Sequence, residues 1–181
     1  GRETFVRNLT AEELRDQALL MLEEARLHGF DDRASHKITV ANSGEPLLNP
    51  ELVDGLEMLA HLPASFKVST VFPAARPAFA NLERLAEFAA GRPEHRHLQL
   101  QISLISTSEA ERAKISGGRV ADFQTIRRAA DAWRTKNPSG RKINLSLMLT
   151  SDMSCDAEVA ARCFPPELFR FYRSLGINMK Q

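Results

Sequence analysis

The residues best able to do chemistry sit at Gly44-Glu45-Pro46, inside the stretch ITVANSGEPLLN (38–49), where an apolar run passes into a helix-like one. Glycine allows the backbone to approach a ligand, proline ends the strand, and Glu45 is a carboxylate at the strand's C-terminal end. Ligands of parallel α/β sheets and barrels collect at that end. A Gly-Glu-Pro tripeptide also ends strands around a plain solvated glutamate, so its surroundings must decide. Other chemistries find little support. Cys155 and Cys163, eight residues apart in a helix-like region, suit neither a metal pair nor a disulfide framework and read as packing residues. His28, His36, His61, His95 and His97 have no metal-ligand spacing and read as structural or solvated, so no metal ligand is assigned. No GxGxxG follows a strand and no GxxxxGK[ST] is present, which argues against nicotinamide and P-loop enzymes. No residue declares itself catalytic.

The elements that must hold this turn form a series. Thr10-Ala-Glu-Glu13 has capping-box spacing, Leu9 and Leu14 stand at staple positions and Gly29 supplies a stop, which predicts a helix over 11–28. Its stripe Leu14, Ala18, Met21, Leu22 and Ala25 is expected to pack on a sheet. Strand-like runs at 37–42, 66–71, 97–105 and 142–149 then alternate with helix-like segments at 50–61, 77–90, 119–136 and 156–174, the last broken at Pro165-Pro166. A short helix is expected at 107–115, and Ser116-Gly-Gly118 after it could close over a site as a lid. The series predicts a parallel sheet with right-handed crossovers. Val120, Phe123, Ile126, Ala130 and Trp133 make the clearest amphipathic stripe, with Trp133 in the core. At 181 residues and 43% apolar content, one domain spanning 1–181 is the simplest organisation.

Strand periodicity separates two α/β architectures, because a sheet covered by helices on both faces reads as a continuous apolar run. These strands alternate instead. Leu98, Leu100, Ile102 and Leu104 oppose Gln99, Gln101 and Ser103; Ile143, Leu145, Leu147 and Leu149 oppose Asn144, Ser146 and Met148; Phe66 and Val68 oppose Lys67 and Ser69. One face is apolar and the other polar. The fold class expected is therefore α/β, a truncated partial parallel β/α barrel of about four strands with helices outside and a polar, ligand-holding inside. Ser69 and Ser103 turn inward by this parity, and Gln99, Gln101, Asn144 and Ser146 are further candidates for the lumen.

In order and separation, FVRNLTAEEL, SGEPLLNP, KVSTV and QISLISTSEAER resemble the radical S-adenosylmethionine (SAM) enzymes, nearest to their ribosomal-RNA adenine methyltransferase branch. The resemblance runs over residues 5–149 and is carried by RNLT before a helix followed by GEPLLN. It implies a partial β/α barrel of the radical SAM type holding SAM and a [4Fe-4S] cluster, with reductive cleavage to a 5′-deoxyadenosyl radical, chemistry that the cofactor supplies. It also implies that Gly44 and Glu45 hold the SAM amino group, an ammonium with three hydrogen bonds to donate. Ser69 and Ser103 would bind SAM hydroxyls or carboxylate.

Departures from the family narrow the expectation. The cluster cysteines CxxxCxxC are absent, and Cys155 and Cys163 come too late in the order to replace them. GRETFVRN resembles the family's residues after the third of those cysteines, so the chain is expected to be a fragment lacking the first strand with its cluster loop and the later strands. Ile105 stands where the methyltransferases carry a histidine, and Ser151-Asp-Met-Ser154 replaces an Asn-Asp pair. With 24 Lys plus Arg against 23 Asp plus Glu, charge does not indicate a nucleic-acid partner. The substrate, small or macromolecular, is not specified, and an electron donor for the cluster is implied. Without an apolar run of membrane-spanning length or a signal peptide, a soluble cytoplasmic protein is expected. The alternative is a non-catalytic module: a degenerate barrel that lacks the cluster, or an unrelated β/α domain with a pocket at the 44–49 turn.

Overall fold

The computed structural model describes residues 6–30, 36–41, 44–93, 97–149 and 156–175, with residues 148–149 and 172–175 described by backbone alone. Five strands form one sheet in sequence order: β1 (Lys37–Val40), β2 (Ser65–Thr70), β3 (Leu98–Leu104), β4 (Ile143–Leu149) and β5 (Phe169–Leu175). Every neighbouring pair is parallel. Right-handed crossovers in such an order carry the connecting helices to a single face. That face is the apolar one, because Phe66, Val68, Leu100, Ile102 and Leu145 share a core with Leu52 and Leu56, Leu85, and Ile126 and Trp133. These come from the helices α2 (Leu52–Met58), α3 (Arg76–Ala90) and α5 (Phe123–Lys136). The predicted alternation is thus the observed one, with β2 alternating half-buried and buried from Ser65 to Thr70.

The first helix, α1 (Ala11–Leu27), begins with the predicted capping box: the Glu13 amide donates to the Thr10 hydroxyl at 3.2 Å and the Thr10 amide donates to the Glu13 carboxylate at 2.9 Å. Gly29 follows at φ +83°. The expected packing of its stripe on a sheet does not hold. Only Ala11 and Ala18 of this helix are buried, Met21 is 73% exposed, and the helix lies against α2. Gly55 explains the closeness, since a Cβ there would stand 3.0 Å from Leu14 Cβ.

Two other expectations are corrected. The segment read as a helix over 156–174 is a short α6 (Ala157–Cys163) followed by β5, so the sheet has five strands where four were expected. Pro165 and Pro166 end the helix, and the alternation Phe169-Arg170-Phe171 then continues the sheet. Phe164 joins the two parts: it is fully buried, with ring centroids 5.0 Å from Phe123 and 5.2 Å from Phe169. The helix expected over 50–61 is α2, Leu52–Met58, and a separate 3-10 turn, Pro46–Leu48, precedes it. The short helix expected over 107–115 is α4 (Glu109–Ser116). Trp133 is 4% exposed and in the core. No helix among the described residues is long and apolar enough to cross a membrane. His95, Cys155 and the Ser151–Ser154 stretch lie outside the described residues.

Candidate functional site

The Gly44-Glu45-Pro46 turn leaves β1 at its C-terminal end, as the sequence predicts. Gly44 is exposed at φ +90°, a conformation disfavoured for other residues, and a Cβ there would meet nothing within 4 Å. The glycine is therefore required by backbone conformation, and the space beside it is open. Glu45 is not a solvated carboxylate. One oxygen accepts from the Leu47 amide at 3.0 Å and from the Thr70 hydroxyl at 2.6 Å, and the other accepts from the Val71 amide at 3.0 Å. It bridges the ends of two adjacent strands and caps the 3-10 turn. Of roughly four lone-pair positions on a carboxylate, three are occupied and one is left for a ligand.

Further side chains fix this turn. Asn81, buried in α3, donates to the Leu47 and Asn49 carbonyls at 2.9 and 2.8 Å, and Asn49 donates to the Leu9 carbonyl at 3.0 Å just before α1. Thr70 passes the connection on, because its hydroxyl also accepts from the Phe72 amide at 2.8 Å. Phe72 is buried at φ +62°, a strained conformation for an aromatic residue, at the sheet end where ligands collect. Its carbonyl accepts from Ala121 at 2.9 Å, while Ala74 donates to Arg119 at 2.8 Å. The backbone after Gly117-Gly118 is thereby hydrogen-bonded to the end of β2, which argues against that segment being a free lid. Beneath it Arg112 is 1% exposed, donates from Nη1 to the Ala121 carbonyl at 2.8 Å and leaves Nε and Nη2 without partners. Burial lowers its pKa against the opposing pull of Glu109 and Asp122.

The strand candidates fall together on the polar face. Ser69 pairs in register with Gln101, and Gln101 with Asn144; Ser103 pairs with Ser146 in the row nearer the C-terminal end. Ser69, Gln101, Ser103 and Ser146 are half-buried. Gln99 and Asn144, 6% and 8% exposed, are more enclosed, and the Gln99 amide already donates to the Leu100 and Lys142 carbonyls at 2.9 and 2.8 Å. Gln99 therefore serves the framework, whereas Ser69 and Ser103 stand toward the end occupied by Glu45.

Comparison of the chain with protein-family models, curated proteins and solved structures finds no match. Its chemistry rests on its own geometry. Among the described residues no three His, Cys, Asp or Glu side chains gather as metal ligands. A groove of about 130 Å³ lined by Leu19, Leu22, Phe30, His36 and Leu62 lies at the opposite, N-terminal end of β1 and β2 and contains none of the candidates.

Sequence reasoning misses three residues of the site and its surroundings. Asn81, a polar residue amid the apolar positions of FANLERL, carries a visible signal. Thr70 carries none, since threonine is ordinary in a strand. Arg170 is hidden by the helical reading of its segment. The structure places it on the polar face, paired in register with Asn144.

Proposed function

We propose that this chain is the SAM-binding portion of a radical SAM enzyme, and that its sheet is part of a partial β/α barrel. One observation carries the reading: a parallel sheet in sequence order presents a single polar face, with Ser69 and Ser103 toward the same end as the Gly44-Glu45 turn. Sheets of this connectivity curl into barrels whose ligands sit at that end.

In this reading the SAM ammonium lies in the open space beside Gly44, against the remaining lone pair of Glu45, and Ser69 and Ser103 supply hydroxyls to the rest of the molecule. Gln101, level with Ser69, and Ser146, level with Ser103, extend the same rows on the neighbouring strands. The described residues do not fit a [4Fe-4S] cluster, for Cys163 is their one free cysteine and no ligand group forms around it. The cluster would need ligands outside these residues.

A second reading, a binding module without the cluster, draws support from Glu45, whose carboxylate already has a structural role in accepting from Leu47, Thr70 and Val71. Anaerobic iron–sulfide reconstitution of the polypeptide that carries this chain together with any cluster cysteines separates the two. The enzyme reading expects about four irons per chain and release of 5′-deoxyadenosine from SAM under reduction. SAM binding without iron uptake or cleavage would establish the module.

A further inference from the structure

The polar face has a charge bias that the whole chain lacks. Lys plus Arg and Asp plus Glu nearly cancel overall, 24 against 23, yet none of the five strands contains an acidic residue. The charged positions of the polar parity, Lys37, Lys67 and Arg170, are all basic. Arg170 stands at the end of the row Ser69, Gln101, Asn144, Arg170, which runs across four adjacent strands. It is exposed and makes no hydrogen bond or ion pair among the described residues.

A free guanidinium offers a planar fork of donors matched to carboxylate or phosphate oxygens. Three strand spacings of about 4.8 Å separate Ser69 from Arg170, roughly 14 Å along the sheet. The ammonium and carboxylate of one amino acid share a single carbon, so a head group held at the 44–45 turn cannot also engage Arg170.

We infer that Arg170 binds an oxyanion of a second molecule, so that the substrate taken by this polar face carries a carboxylate or a phosphate. The anion site follows from the register and charge of the face; assigning its occupant as the substrate rests on the SAM reading above. An exposed arginine on an edge strand can instead serve only to discourage edge-to-edge pairing, which predicts no saturable anion binding.

The test uses the whole chain at low ionic strength, titrated separately with inorganic phosphate and with acetate while the backbone amide resonances of residues 144 and 169–171, present in wild type and variants alike, are followed by NMR. Saturable binding of at least one anion is expected, weakened at least tenfold in Arg170→Gln and partly retained in Arg170→Lys, with the urea midpoint unchanged. The arm that binds more tightly identifies phosphate or carboxylate as the preferred chemistry. Saturating SAM should leave the anion affinity unaltered; competition would make Arg170 a site for SAM's own carboxylate and overturn the assignment to a second molecule. Equal anion affinity in wild type and Arg170→Gln, or no saturation in either, would overturn the site itself. Anion binding lost in Arg170→Gln in a chain that never binds SAM would keep the site and refute the SAM reading alone.

Discussion

Replacing Glu45 tests whether one carboxylate both clamps the turn and holds a ligand. In Glu45→Ala the Leu47 amide, the Thr70 hydroxyl and the Val71 amide all lose their acceptor. Hydrogen bonds to a charged group contribute roughly 1.5–3 kcal/mol each, and water recovers part of the loss where it can reach. Water reaches Val71, which is half-buried, more easily than Leu47 or Thr70, which are 1% and 2% exposed. Two poorly compensated donors give a loss of roughly 3 kcal/mol for Glu45→Ala, and about half of that for Glu45→Gln, which keeps one acceptor oxygen. Urea unfolding at constant m-value measures it. Thr70→Val is the control, since it deletes the hydroxyl between Glu45 and Phe72 while leaving the carboxylate in place. A double-mutant cycle of Glu45→Gln with Thr70→Val should show coupling of about 1 kcal/mol or more. SAM titration completes the set: Glu45→Gln should lose at least about tenfold in affinity, or 1.4 kcal/mol, while Thr70→Val, which frees a lone pair, should lose none. Equal SAM affinity in wild type and Glu45→Gln would reduce Glu45 to a structural clamp. A stability loss below about 1 kcal/mol for Glu45→Ala would refute the clamp.

The packing, a surface carboxylate and a buried guanidinium carry three more expected outcomes. Phe164→Ala empties the centre of the Phe123–Phe164–Phe169 cluster and should cost about 3–5 kcal/mol by urea unfolding, loosening β5 first in amide exchange; a loss under about 1 kcal/mol would count against β5 as part of the core. Glu13 is held down to about 2 by its hydrogen bonds with the Arg7 guanidinium and then the Thr10 amide. A folded-state pKa below the unfolded value of about 4.3 stabilises the start of α1 above that pH and is lost as pH falls toward 2, so NMR titration of Glu13 should move up toward the ordinary value in Arg7→Ala. Arg112→Met gives up the bond to the Ala121 carbonyl but also removes two buried donors without partners, and should leave stability unchanged or raise it by about 1–3 kcal/mol; a marked loss in urea would show that those nitrogens are satisfied in solution.

Periodicity is the part of this fold that the sequence makes legible. The four first strands, the polar parity of Ser69, Gln101, Ser103 and Ser146, and the α1 capping box depend on neighbouring residues, and local patterns report them. The misreadings have equally physical origins. Phe169-Arg170-Phe171 alternates with period two, but it comes after a helix-forming stretch across Pro165-Pro166, and a broken helix and a helix-to-strand change share that punctuation. The apolar stripe of α1 fixes only that something packs there, and not that the something is a sheet; Ala11 and Leu14 approach α2 at Gly55. The Glu45–Thr70 contact joins residues 25 apart and leaves no periodic trace.

That contact changes how the turn works. Had the carboxylate been free, ammonium recognition and the position of the turn would be independent, and any acidic residue near the rim could hold a ligand. With three acceptor positions engaged, the remaining lone pair points where β2 and the 3-10 turn aim it, and Asn81 fixes that turn from the helix side. A perturbation of Phe72 then reaches Glu45 through Thr70, although Phe72 lies in the core. The residue at positive φ is thus the one whose amide donates to the hydroxyl that in turn donates to Glu45. The strain and the clamp are therefore parts of one arrangement, so releasing the Phe72 backbone should weaken the orientation of Glu45 before it weakens the sheet.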